Sequence, residues 1–302
     1  MATSWLDVFQ SKIVTFVVGE DKKEFQLHAS AIAKLSQPLD VLLNGQMKEA
    51  REGRVEWPDI DEQTFVRFLQ WVYSKTYDVP EPDGPLTAAA TSKNDPKTCK
   101  APQADIQGLK MPTATPVVST VAPVGSTVAN CVECFSKKPS DLGTSATCAK
   151  IKRFLEIGRT TTFIPRSNTK CTEDYTNIFL CHAELYILGD KYLLTELKQL
   201  AFDRLHATLK AFTFYRSHPL GIIALTKRVF ENTQSEDKIR TMITLYFGFL
   251  LKELSRCVGM RELLEDVPDL AVALVMQIMN FELLSFLHIA WKLVARGYGI
   301  AV

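Results

Sequence analysis

Two well-patterned pieces, Ile13 to Tyr77 and His182 to Leu209, flank about a hundred residues of different composition. That spacing most constrains what this chain can fold into. The arrangement reads as one small domain split by a long insertion.

Periodicity parses the first piece. Ile13-Val14-Thr15-Phe16-Val17-Val18 is a β-branched and aromatic run ended by Gly19-Glu20-Asp21-Lys22, which is turn chemistry. Glu24-Phe25-Gln26-Leu27 alternates polar and apolar, so a β-hairpin is expected. An Ala-rich stretch from His28 to Leu35 opens a helix, Pro38 breaks it, and Leu39 to Leu43 starts another. Arg54 to Trp57 alternates again and forms a short strand stopped by Pro58. Asp59 with Glu62 offers a capping box for the next helix. Its apolar stripe is Phe65, Phe68, Leu69, Val72 and Tyr73. The second piece carries two such stripes, Leu185, Leu188, Gly189 and Tyr192, then Leu197, Leu200, Ala201 and Leu205, with a break near Thr195.

The order hairpin, helix pair, strand, helix, helix pair resembles a BTB/POZ domain of the divergent type common in fungi. The residues that carry the resemblance are His28, Ser36, Met47-Lys48-Glu49, Val55 to Trp57 and Trp71-Val72-Tyr73. In the second piece they are Tyr186, Gly189-Asp190-Lys191-Tyr192 and Leu197. Together the two segments cover about a third of the chain. The resemblance implies an α+β fold, a small β-sheet flanked by a helical cluster, followed here by an all-α C-terminal extension. It divides the chain into residues 1–77 and 151–209 as the two parts of the domain, 78–150 as the insertion and 210–302 as the extension.

The resemblance also implies partners. Self-association in the family uses an N-terminal element, so Trp5, Leu6, Val8 and Phe9 are candidates for a homodimer contact or for a cap on the core of a monomer. The family's cullin contact uses a hydrophobic-x-Glu triplet, which Met47, Lys48 and Glu49 match. Partner-binding residues are therefore expected at Met47, Lys48, Glu49, Trp5 and Phe9. Lys12 stands where family dimers that recruit corepressors often carry Asp, which argues against a charged corepressor pocket. The sequence shows no Kelch, MATH, zinc-finger or ankyrin pattern.

The insertion has its own signature. Ten of the fourteen prolines lie from Pro80 to Pro165. From Asp78 to Lys150 the sole aromatic is Phe135, and seven acidic residues balance seven basic ones. Such a stretch offers too little apolar surface to offset its ordering entropy, so disorder or loose packing is expected from Pro80 to about Ala149. Ile151 to Lys170 differs: it has apolar periodicity, and Lys152, Arg153, Arg159, Arg166 and Lys170 face one Glu. It reads as the domain resuming, with its charges on a solvated surface.

Chemistry finds little support. The sequence has no GxGxxG, P-loop, HExxH or GxSxG, and its five histidines are scattered. His28, where a strand meets a helix, is expected to be structural. Cys131-Val-Glu-Cys134 supplies half a zinc site, and Cys148 and Cys171 stand at spacings that do not complete one in the usual way. No enzyme activity, cofactor, metal or small-molecule substrate is expected. A net charge of +1 gives no pull toward nucleic acid or acidic membranes. Seven cysteines without a signal-peptide pattern point to an intracellular setting, nucleus or cytoplasm.

The C-terminal third is expected to be helical. Thr233 with Glu236 suggests a capping box before a face of Ile239, Met242, Ile243, Tyr246, Leu250 and Leu254. Pro268 suits a first helical position. Leu270 to Trp291 is apolar enough to suggest a membrane span, but Gln277, Asn280, Glu282 and His288 interrupt it, so a bundle helix is favoured. The leading function is a non-enzymatic protein-interaction module that self-associates, with a substrate-adaptor role on a cullin ubiquitin ligase. The alternatives are a transcriptional or chromatin regulator working through the insertion, by zinc or nucleic-acid contact, and a scaffold that binds no cullin.

Overall fold

The computed structural model describes residues 5–83, 109–110, 146–170, 172–215 and 219–280. The first elements are helix α1 (Trp5–Phe9), strands β1 (Ile13–Val18) and β2 (Lys23–His28), and helices α2 (Ala29–Ala33), α3 (Gln37–Asn44) and α4 (Lys48–Glu52). Strand β3 (Arg54–Trp57) and helix α5 (Glu62–Ser74) follow. After the two-residue strand β4 (Leu109–Lys110) come helices α6 (Ala146–Ile157), α7 (Thr176–Lys191) and α8 (Thr195–Ala211), then strand β5 (Thr213–Phe214). Helices α9 (Leu220–Asn232), α10 (Lys238–Leu254), α11 (Met260–Asp266) and α12 (268–280) end the described chain. A small mixed sheet among many helices makes this an α+β fold with a helical C-terminal region.

Two compact units are present. One comprises Met1–Glu81 with Leu180–Phe202; the other comprises Pro82–Phe179 with Asp203–Val302. The chain passes between them inside α7 and again inside α8.

In the first unit the sheet has the order β2-β1-β3. β1 and β2 form the expected hairpin, with Ile13 opposite His28 and Val18 opposite Lys23. Gly19 and Lys22 turn the chain with φ of 72° and 51°. β3 pairs with β1 in parallel, Phe16 beside Val55 and Val18 beside Trp57. A parallel partner needs a crossover, which α2, α3 and α4 supply. Pro38 does not end a helix: it lies in the first turn of α3, where its missing N–H costs nothing, and Ser36 caps that turn by accepting from Leu39 N.

The cap of α5 differs from the expected one. Asp61, not Asp59, accepts from Thr64 N at 2.9 Å. Asp59 instead pairs with Lys191 at 2.6 Å. The start shifts by two residues, and the buried face becomes Thr64, Phe65, Phe68, Trp71 and Val72, with Leu69 and Tyr73 half-buried. Trp57 sits at the centre of the core: its ring lies 5.0 Å from Phe16, 5.7 Å from Phe65 and 4.6 Å from Tyr192. Such aromatic contacts add about 0.5–1.5 kcal/mol each beyond the area they bury.

The break near Thr195 is a tight one. Leu193 takes φ of 54°, and Leu194 N bonds Gly189 O at 2.7 Å. Gly189 is needed here because a Cβ would fall 2.9 Å from Lys198 N, so α7 and α8 touch backbone to backbone. Leu185, Leu188, Leu197 and Ala201 are buried as the stripes predict.

In the second unit α6 packs on α10, and α9 on α10 and α11. Phe154 of α6 lies 5.7 Å from Tyr246 and 4.9 Å from His206. Gly158 leaves room for that imidazole, since a Cβ there would fall 2.7 Å from Cε1. The predicted face from Ile239 to Leu254 is buried throughout. Thr233 does not start α10. It ends α9 by donating to Val229 O at 2.7 Å, while Asp237 accepts from Ile239 N at the true start. Pro268 opens α12 as expected. The expectation of disorder from Pro80 to Ala149 falls largely outside the described residues.

Candidate protein-interaction site

Five of the predicted residues lie in the first unit, on two different elements. The first is α1. Its inner residue Val8 is buried, whereas Trp5, Leu6 and Phe9 are 56%, 61% and 61% exposed. The rings of Trp5 and Phe9 stack with centroids 5.8 Å apart, and Phe9 meets His28 edge-on at 5.5 Å. One hydroxyl bond joins this helix to α2, and two more order the residues just after it. Ala29 N bonds Lys12 O at 2.9 Å, Ser30 Oγ donates to Asp7 O at 3.3 Å, and Ser11 Oγ donates to Val8 O at 2.8 Å. Lys12 is itself committed, with Nζ donating to Leu43 O at 2.7 Å. Three large apolar side chains are thus held outward on one helix of five residues.

Met47, Lys48 and Glu49 occupy the second element, the start of α4. Met47 is the residue before the helix and is 56% exposed, with Val41 of α3 also exposed. Glu49 is half-buried in the first turn, where a carboxylate is favoured by the helix dipole. Lys48 is exposed and reaches Glu52 at 3.8 Å, a pair worth a few tenths of a kcal/mol. The structure brings Trp5 and Phe9 together and leaves the triplet as a separate corner.

A groove of about 510 Å³ adjoins α1. Trp5, Lys34, Trp71, Lys75, Leu193 and Glu196 are among its lining residues. They come from α1, the ends of α2 and α5, and the turn before α8 with its first residues, so no single sequence segment announces the groove. Leu193, 66% exposed, is held at its rim by the left-handed turn. Lys75 is engaged above the Trp71 ring at 4.6 Å.

His28 packs on Phe9, and His182, fully buried, meets the Tyr77 hydroxyl at 2.9 Å through Nδ1. Burial together with the Asp59 charge pushes the Tyr192 phenol well above its ordinary range. No group of three metal-ligating side chains occurs among the described residues. Cys131, Cys134 and Cys171 lie outside them, and Cys148 is described by its backbone alone. No described helix is long and apolar enough to cross a membrane; Leu270 to Trp291 is described only as far as Asn280.

The first unit is thus a three-stranded mixed sheet with a hairpin and a parallel third strand, preceded by a helix with exposed apolar side chains. The family model of the BTB/POZ domain matches residues 12–93, and this chain carries that domain. Domains of this class act through protein–protein contact and self-association. No curated protein and no solved structure matches the chain.

Proposed function

We propose that this protein is a non-enzymatic, intracellular interaction module that self-associates through α1. One observation carries the reading: Trp5, Leu6 and Phe9 are all more than half exposed on a helix whose inner residue Val8 is buried in the domain. Contiguous apolar surface of this kind is usually covered by a partner. Sedimentation equilibrium of the full chain tests it. The wild type is expected to be a dimer, and the Trp5→Glu, Phe9→Glu double variant a monomer of unchanged thermal stability. A monomeric wild type, or a dimer that survives both changes, overturns the reading.

The exposure of Met47 supports a second, finer role as a substrate adaptor on a cullin scaffold. Met47 offers an apolar anchor and Glu49 a charged neighbour, the pattern of a small interface hot spot. Glu49→Lys is expected to abolish co-purification with a cullin; undiminished recovery rejects the role. We also propose that the domain is built from residues 1–77 and the helix pair within 151–209, with 210–302 as a helical extension. Support comes from Tyr77 and His182, Asp59 and Lys191, and Trp57 and Tyr192, each a pair drawn from both pieces. A nucleic-acid or zinc role for the insertion has no supporting observation among the described residues.

A further inference from the structure

The chain between α6 and α7 is fastened on either side of an open stretch. Before it, Arg159 N donates to the Asp203 carboxylate at 2.9 Å. After it, the Tyr175 hydroxyl donates to Arg166 O at 3.2 Å, and Glu173 accepts from Thr169 N at 3.0 Å and Lys170 N at 2.9 Å. Between these anchors, Thr160 to Pro165 belong to no helix or strand. Exposure alternates along them: Thr160, Thr162 and Ile164 are exposed, while Thr161, Phe163 and Pro165 are half-buried. A period of two is that of an extended chain. Phe163 fixes the alternation, with the Arg204 guanidinium 4.9 Å from its ring centre. Ile164, at 89% exposure, shows how far the stretch stands clear.

Three hydroxyls lie on this stretch, and they are not equivalent. Thr161 Oγ1 is occupied, accepting from Phe163 N at 3.1 Å. Thr160 and Thr162 make no hydrogen bond among the described residues. Of the three, Thr162 alone has an arginine three residues ahead of it. That residue, Arg159, is exposed and forms no ion pair among the described residues. Three residues of extended chain span about 10 Å. At that separation the guanidinium can enter an acidic subsite of a modifying enzyme while the hydroxyl reaches the group being transferred. Pairing of a guanidinium with a carboxylate is strong and directional, so it selects one acceptor among neighbours.

We propose that Thr162 is a phosphorylation site for a serine/threonine protein kinase that reads the arginine three residues before its acceptor. Thr162 Oγ1 forms the new bond to the γ-phosphorus of magnesium ATP. The bond from that phosphorus to the bridging oxygen breaks, the hydroxyl proton passes to the kinase's base, and ADP leaves. The product adds a charge of about −1.5 to −2 at neutral pH. It falls within residues 151–170, which hold five basic residues against the single acid Glu156. Modification therefore offsets much of the positive charge of this segment. The site lies outside the residues matched by the family model and does not depend on self-association through α1.

The test incubates the native full chain with magnesium ATP and one of two purified kinases, one arginine-directed and one proline-directed. Peptide mass spectrometry then locates and counts the phosphate. The arginine-directed enzyme is expected to place close to one phosphate per chain on Thr162 and little on Thr160 or Thr161; the proline-directed enzyme is expected to leave Thr162 bare. Arg159→Ala is expected to slow modification of Thr162 about tenfold, the loss of one charge-assisted pairing. That variant keeps the bond to Asp203, which uses the backbone N–H, so it is expected to melt with the wild type. No phosphate on Thr162 in the native chain, phosphate that appears there only after heat denaturation, or an Arg159→Ala rate equal to the wild type overturns the proposal. Should the variant fold poorly, the choice among Thr160, Thr161 and Thr162 in the native wild type decides alone.

Discussion

The hydroxyl of Tyr77 and Nδ1 of His182 meet at 2.9 Å in a buried site, 105 positions apart in the chain. His182 is fully enclosed and Tyr77 is 3% exposed, so water cannot replace either partner. Tyr77→Phe keeps the ring and removes the hydroxyl. It is expected to destabilise the first unit by about 1–3 kcal/mol, the cost of stranding a buried polar group. The urea midpoint of the transition reported by tryptophan fluorescence checks this; a shift under a few tenths molar contradicts it.

Trp57 and the Asp59–Lys191 pair lie two residues apart in sequence and should differ sharply in energetic weight. Trp57→Ala empties the aromatic cluster formed with Phe16, Phe65 and Tyr192 and is expected to cost about 3–5 kcal/mol. Asp59→Ala removes an ion pair whose partners are both about half exposed, and is expected to cost under about 1 kcal/mol. Thermal unfolding of the two variants side by side measures the contrast.

Gly189→Ala is a further check on the helix pair. Its Cβ would meet backbone atoms of Lys198, which cannot swing aside as a side-chain tip can. A loss of about 1–3 kcal/mol is expected from forcing α7 and α8 apart. An alanine variant with wild-type stability would show that the close approach is dispensable.

Stability should fall in mild acid because of His206. Burial, helped by the nearby Lys210 charge, lowers its pKa to about 4, against the Phe154 carbonyl that accepts from Nε2 at 2.8 Å. The unfolded chain has the ordinary value near 6.5 and binds the proton first. This contribution is therefore fully present above about pH 6.5 and lost as pH falls toward 4, by at most roughly 3 kcal/mol. Unfolding midpoints at pH 7.5 and 5.0 should differ more in the wild type than in His206→Gln. Equal differences would remove His206 from the account.

Much of the fold was legible from local pattern. The β-branched run Ile13 to Val18 and the alternation of Arg54 to Trp57 marked strands, and the spacing of Ile239 to Leu254 marked a buried helix face. Errors came where several residues compete for one role. Asp59, Asp61 and Thr233 all carry capping oxygens, and only the tertiary partner separates them: Lys191 draws Asp59 away, and Arg240 holds Thr233 at the end of α9. The short α4 has no apolar stripe and leaves no periodic signal. At the site, Trp5 and Phe9 were visible as apolar residues ahead of the first strand. The groove beside them draws on four distant segments, and Gln277 looked like an interruption of an apolar helix although it is buried against Gly248.

The arrangement of the first unit also sets a schedule. Residues 1–81 leave the ribosome well before Leu180–Phe202, with the 98 residues of 82–179 made between them. At about 5–20 residues per second that interval lasts roughly 5–20 s. Throughout it, Tyr77 waits for His182 and the Trp57 ring for Tyr192. Each newborn chain thus carries an uncovered aromatic surface for far longer than a hairpin or helix takes to form, which makes this half-built state the stage at which a chaperone would matter most.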